Sequence, residues 1–247
     1  MHRSFALTSI DNAQEVTCLT RKKVFGRVDY QIALLNHQFY ETNISFLRQP
    51  SITMKIWILF GHPVLESYGN ALTEQYSKGA QDSGHEVQRI NIAELDFDFC
   101  LRNGYAAEQA LEPDIADAQE KIKWADHLVF IYPTWWGTPP AIVKSFIERT
   151  LLPGFAFKYT KKSKKYVTMD RFLTDKTGHV ISTMDAPIWY YKWIVGDPGY
   201  KMMKDVFGCC GIKSLGRTYF GSVKMSDQET KHQWLEQCYQ MGKDINR

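Results

Sequence analysis

No stretch of the chain stays apolar for the roughly 18 to 20 residues that a membrane-spanning helix needs, so none of it reads as a span. The two common phosphate-loop patterns, G-x-G-x-x-G and G-x-x-x-x-G-K-[ST], are also missing, which counts against an ordinary dinucleotide-binding or P-loop module. Cysteines are few. The five present (Cys18, Cys100, Cys209, Cys210, Cys238) are odd in number and form no C-x-x-C pair. That argues against a disulfide framework or a zinc site and for a reducing compartment, the cytoplasm. The neighbours Cys209 and Cys210 read either as buried structural thiols or as a redox-active pair. Charge of one sign is scarce as well. The net charge is +3, and the short run Lys161-Lys162-Ser163-Lys164-Lys165 stands alone, so a dedicated nucleic-acid surface is not indicated. That run is either a solvated loop tip or an attractor for a phosphate-bearing ligand. Internal repeats and low-complexity tracts are absent.

With 247 residues and 44% hydrophobic content, the chain suffices for one sizeable core. Residues 1–53 differ from the rest. They carry six basic residues against four acidic ones, a net of +2, and show no long periodic apolar run. Four acids argue against a transit peptide, and no compact apolar stretch suggests a secretory signal. The segment is expected to be an extension that adds little to the fold, with Met54 as a candidate natural start. Expression from Met54 tests this.

From Met54 to the C-terminus, short β-rich apolar runs alternate with helical patterns. The strands are expected at Lys55–Phe60, His85–Asn91, His127–Tyr132, His179–Thr183 and Ile212–Phe220. The helices are expected at Tyr68–Ser83, Pro113–Ala125, from Pro139-Pro140 to Thr150, Pro198–Cys209 and Asp227–Lys243. Residues 153–176 form an excursion suited to a hairpin, and the aromatics Trp189, Tyr190, Tyr191 and Trp193 lie in a loop. Such alternation implies an α/β fold, a doubly wound five-stranded parallel sheet in the order 2-1-3-4-5.

In that order the topological switch falls between strands one and three, so the loops following them border the ligand crevice. The first loop offers Ser67 at a helix N-terminus, followed by the amides of Tyr68, Gly69 and Asn70. Ser67 is either a plain N-cap or, with those amides, a phosphate cradle. The second loop is Tyr132-Pro133-Thr134-Trp135-Trp136-Gly137-Thr138-Pro139-Pro140. Its adjacent indoles either cap a core or form a platform for a flat conjugated ligand. Phosphate and flat ring together describe a flavin mononucleotide moiety.

The segments Phe60-Gly61-His62-Pro63 with Ser67-Tyr68, Tyr132 to Lys144, and Phe146-Ile147-Glu148-Arg149 followed by Gly154-Phe155-Ala156-Phe157 resemble the flavodoxin-like NAD(P)H:quinone oxidoreductases. That family includes the DT-diaphorases and the ancillary oxidoreductases of potassium-efflux systems. The resemblance runs from Met54 to the C-terminus. It implies a flavodoxin-like fold, bound FMN or FAD, NAD(P)H as donor, a quinone or similar acceptor, and a homodimer. It sets His62, Ser67, Tyr68 and Gly69 beside the flavin phosphate, with Gly69 where many relatives have Asn. Pro133, Thr134, Trp135, Trp136 and Gly137 would line the ring. Ser182, Thr183, Met184 and Asp185 occupy the loop where diaphorases often carry Thr-Thr-Gly-Gly, and the two departures bear on close backbone approach. Tyr190 matches the tyrosine that polarises the flavin edge, while its accompanying histidine has no counterpart in Val195-Gly196-Asp197-Pro198.

The activity so implied is two-electron, ping-pong hydride transfer, with Tyr190 and backbone amides after the fourth strand stabilising the reduced ring. The alternative is a flavoprotein electron carrier or a regulatory subunit of a transporter. His62 is equally readable as a structural residue, His179 reads as a strand-edge residue, and Glu148-Arg149 as helix packing or an ion pair.

Overall fold

The computed structural model describes residues 53–161 and 167–245. The extension and most of the Lys161–Lys165 run therefore lie outside the described residues. The elements are β1 (Lys55–Phe60), α1 (Tyr68–Asp82), β2 (Glu86–Asn91), α2 (Pro113–Trp124), β3 (His127–Pro133), α3 (Ala141–Thr150), β4 (Phe157–Lys161), β5 (Val167–Arg171), β6 (Thr177–Thr183), α4 (Pro198–Cys210), β7 (Lys213–Phe220) and α5 (Gln228–Lys243). Strands β2-β1-β3-β6-β7 make one sheet whose neighbours all pair in parallel. With the β4–β5 hairpin set aside as a separate antiparallel pair, this is the order 2-1-3-4-5.

Both faces of the sheet are covered, which is why β1 and β3 are almost continuously apolar. Alternate residues of β1 point to opposite sides. Trp57 and Leu59 join Ile115 and Ile122 of α2, Phe146 of α3 and Phe207 of α4, while Ile56 and Ile58 join Leu72 and Tyr76 of α1 and Cys238 of α5.

Two local expectations need correction. Pro139 and Pro140 do not open α3; Pro140 is its N-cap, and the helix begins at Ala141. The aromatic segment is not an open loop, because Tyr190–Val195 winds into a short π-helical turn. Gly196 (φ 86°) and Asp197 (φ 60°) end it in the left-handed region, and α4 follows with Pro198 in its first turn.

The amino ends of the strands are locked by internal polar contacts. The Lys176 ammonium, 4% exposed, donates to the carbonyls of Lys123 (2.9 Å) and Ala125 (2.6 Å), where a cation complements the negative end of α2. Away from those ends, Arg149, fully buried on α3, donates to Glu112 Oε2 (2.6 Å) and Ala110 O (3.0 Å) and so ties down the connection from β2 to α2.

Candidate active site

At the carboxyl ends of β1, β3 and β6 three connections converge, and each is set by a short-range feature of the sequence. Gly61 follows β1 and donates its amide to Ile131 O (2.7 Å), which keeps the first loop against β3. His62 stacks over Phe60 (6.1 Å, 9°) and meets Trp135 edge-on (5.7 Å), so imidazole and indole join the first two loops. His62 Nδ1 accepts the Val64 amide (2.9 Å), which leaves the proton of the neutral ring on Nε2. Burial holds its pKa below the usual histidine value.

Ser67 takes the N-cap position of α1, yet its hydroxyl makes no capping bond. Its Oγ is shielded from solvent and has no partner among the described residues. A buried hydroxyl without a partner costs about 1–3 kcal/mol, so a ligand acceptor there would recover that loss. The amides of Tyr68 and Gly69, at the start of the helix, have no acceptor within it. The Asn70 amide, expected to point outward, instead donates to Ser67 O (2.9 Å). A Cβ on Gly69 would lie 3.2 Å from the Phe60 ring and 3.8 Å from Ser67 Oγ, so the glycine keeps this cradle shallow. Tyr68 turns away from it, donating its hydroxyl to Lys231 O (2.6 Å).

Trp135 and Thr138 exchange backbone hydrogen bonds (2.9 and 3.1 Å) around Trp136 and Gly137. Both central residues have positive φ, 53° and 84°, as a tight type I′ turn requires. Glycine meets that requirement freely; a tryptophan there is strained by about 1–3 kcal/mol. The result is a fully exposed Trp136 and a half-exposed Trp135, neither of them a member of the buried core clusters. Thr134 is fixed by its amide to Thr183 O (2.7 Å) and by its hydroxyl to Ser182 Oγ (2.7 Å). Ser182 pairs in register with Tyr132, and Thr183 with Pro133.

After β6, Met184 is buried and its amide donates to Phe220 O (2.9 Å), so that amide is already engaged. Asp185 is exposed and pairs with Lys224 (2.8 Å). Tyr190 is exposed and packs edge-on against Trp189. Its buried neighbour Tyr191 carries the structural role: the Tyr191 hydroxyl donates to Gly137 O (2.7 Å) and accepts the Gly199 amide (3.0 Å), tying the Trp136 turn to α4. Burial raises its pKa.

Sequence reasoning missed Tyr191, Asp197, Arg217 and Tyr219. Asp197, nearly buried, receives the Tyr219 hydroxyl on Oδ1 and Arg217 Nε on Oδ2 (2.6 Å). Burial raises the Tyr219 pKa, and the hydrogen bond to Asp197 adds to it. The signals available were an aspartate just before a helix-opening proline and the spacing Arg217-x-Tyr219, which points both side chains to one face of a strand. His179 lies within β6, with Nε2 3.2 Å from Thr218 Oγ1, away from this crevice. Glu148 pairs with Lys144 rather than Arg149. A cavity of about 320 Å³ lies elsewhere, against α3, α4 and the hairpin, lined by Ile147, Phe157, Met202, Val206 and Cys210.

A shielded, unpartnered hydroxyl at a helix N-terminus, next to an exposed aromatic turn, suits a phosphate joined to a flat ring. The chain belongs to the family described as having a flavodoxin-like fold, whose profile matches residues 54–241. The curated relatives it resembles are described as NAD(P)H oxidoreductases and NAD(P)H dehydrogenases. A Haemophilus influenzae protein described as an uncharacterised NAD(P)H oxidoreductase is 26% identical over 185 residues, covering 72% of this chain and 89% of its own length. The NAD(P)H dehydrogenase [quinone] 1 of Rattus norvegicus is 28% identical over 203 residues, covering 72% of this chain and 73% of its own. Among solved structures, an NAD(P)H:quinone oxidoreductase from Methanothermobacter marburgensis superposes with a TM-score of 0.67 at 22% identity, over 78% of this chain and all of its own. That last likeness concerns the fold.

Proposed function

We propose that this chain is a flavin-dependent NAD(P)H oxidoreductase that reduces quinones or similar acceptors by two electrons at a time. The observation that carries the reading is the pairing of the shielded, unpartnered Ser67 hydroxyl with the exposed Trp135-Trp136 turn across one crevice. Ser67, the Tyr68 and Gly69 amides and His62 Nε2–H would hold the flavin phosphate. Pro133, Thr134, Trp135, Trp136 and Gly137 would line the ring, with Ser182, Thr183 and the backbone of Met184 and Asp185 along its edge. When bound, the flavin supplies hydride acceptance from NAD(P)H and hydride donation to the second substrate.

The protein's own share is position and electrostatics. Tyr191 holds the Trp136 turn in its strained pose before any ligand arrives, so the platform does not have to be ordered on binding. The exposed hydroxyl of Tyr190 is available to donate to negative charge at the ring edge. Because donor and acceptor would use the same open platform in turn, the kinetics should be ping-pong. The reading takes the chain as a homodimer working in the cytoplasm; among the described residues no helix is long and apolar enough to cross a membrane.

The test is to purify the chain, release any bound cofactor and identify it by mass, then measure NAD(P)H oxidation with a soluble quinone. A yellow protein with parallel double-reciprocal lines supports the proposal. A colourless protein that takes up neither FMN nor FAD overturns it, and a yellow one inert toward NAD(P)H turns the assignment to an electron carrier or a transporter's regulatory subunit.

A further inference from the structure

Beside the crevice, on the side of the edge strand β7, two cations flank Tyr219 and a third lies by the adjoining Gly196-Asp197 turn. The Arg217 guanidinium lies 4.3 Å from the Tyr200 ring and 5.7 Å from the Tyr219 ring, and Lys192 Nζ lies 5.9 Å from that same Tyr219 ring. Lys201 reaches Gly196, whose Cβ, if it had one, would sit 3.7 Å from the Lys201 ammonium. The one acid among them is Asp197, and both its oxygens are engaged, by Tyr219 and by Arg217. Neither Lys192 nor Lys201 forms an ion pair among the described residues. Three cations with one acid among them leave a net positive charge beside the crevice, which favours an anion there.

The cluster is also joined to the crevice. Tyr219 meets Tyr191 edge-on at 5.4 Å, and the Tyr191 hydroxyl holds Gly137 O of the Trp136 turn. A ligand lying on the turn thus needs only the reach of a dinucleotide to arrive at Arg217. The neighbour of Lys192 is Trp193, 81% exposed in the same π-helical turn, a flat face on which an adenine can stack. Arg217 stays partly open, with 31% of its side chain exposed, while Asp197 and the two tyrosine rings fix its fork.

We propose that Lys192, Lys201 and Arg217, with Trp193 beside them, bind the 2′-phosphoadenosine end of NADPH, so that the enzyme takes NADPH in preference to NADH. This rests on the reading of NAD(P)H as the donor and names the form used. Adenosine 2′-monophosphate and adenosine, titrated calorimetrically into the full chain, isolate the phosphate from everything else in the ligand. The 2′-phosphate should tighten binding by about tenfold or more, the worth of a charge-assisted hydrogen bond. Lys192→Met and Lys201→Met should each remove most of that difference, and added salt should shrink it. Because Arg217 also neutralises a buried aspartate, Arg217→Lys is the variant to use there: it keeps the charge, loses the fork and should show an intermediate loss. Equal affinity for the two ligands, or full discrimination retained in both lysine variants, overturns the proposal. A protein that oxidises neither NADPH nor NADH would instead strike the donor reading, while the two adenosine ligands still decide whether a phosphate is recognised.

Discussion

The two ends of this sheet use polar and aromatic residues in opposite ways. At the amino ends Lys176 is wrapped by the carbonyls that close α2, Asp126 accepts the Lys55 amide (2.9 Å), and His127 Nδ1 lies 2.6 Å from Thr177 Oγ1. At the carboxyl ends Ser67 keeps a shielded hydroxyl without a partner, Trp136 stands fully exposed in a left-handed turn, and Asp197 adds a second left-handed residue. The amino end holds no left-handed residue other than glycine, though His127 Nε2 is shielded there without a partner among the described residues. The other carries strain and an unfilled hydrogen bond, the condition of a surface shaped for something that binds. Stability should therefore be governed from the amino end and ligand affinity from the carboxyl end.

Acid should break the comparison most strongly. Burial lowers the pKa of His127 to about 3 and that of His179 to about 4, against 6.5 for an exposed histidine. A depressed folded-state pKa means the unfolded chain binds protons first, so this stability is whole above pH 6.5 and is lost as the pH falls toward 4 and then 3. The slope should reach roughly 1.4 kcal/mol per pH unit for each histidine. Urea midpoints at pH 7, 6 and 5 should fall in that sense, and His179→Gln should flatten the fall by about half. A flat profile would remove the amino end from the account.

Tyr191→Phe comes next. It should cost about 1–2 kcal/mol through two lost hydrogen bonds, with the freed Gly199 amide left buried. It should also loosen the Trp136 turn, read as altered indole emission. A full loss of stability without any change in emission would make Tyr191 packing alone. The smallest effect on folding belongs to Ser67→Ala, because the hydroxyl has no internal partner to lose. Its urea midpoint should stay within about 0.5 kcal/mol of the parent, while FMN affinity falls about tenfold and riboflavin affinity does not move. A Ser67→Ala protein that is destabilised but binds FMN normally would mark Ser67 as an ordinary cap.

The sheet order and the meeting of the loops after β1 and β3 were legible because they rest on local patterns. Short apolar runs between turn residues gave the strands, and the double-Trp segment between an apolar strand and two prolines gave an exposed turn. The exchange between Tyr190 and Tyr191 was not legible. Which of two adjacent tyrosines faces inward depends on the winding of a single π-helical turn, and six residues are too few to display a period. The bond from Asp197 to Tyr219 spans 22 positions and depends on where β7 lies against α4. Nor could sequence reveal that Ser67, an evident N-cap, leaves its hydroxyl unused, since a capping bond follows from a side-chain torsion and not from residue identity.

The central claim is that the exposed indoles serve a ligand and not the fold, and Trp136→Ala tests it most directly. FMN is titrated into the parent and variant apoproteins, and urea unfolding is followed on the same preparations. Loss of a stacking face worth about 1–3 kcal/mol should weaken FMN by about tenfold or more. The urea midpoint should be unchanged, since the fully exposed indole has no core contact to lose and alanine keeps the Cβ from which the left-handed strain arises. Equal losses of affinity and stability, or unchanged FMN binding, would contradict the claim.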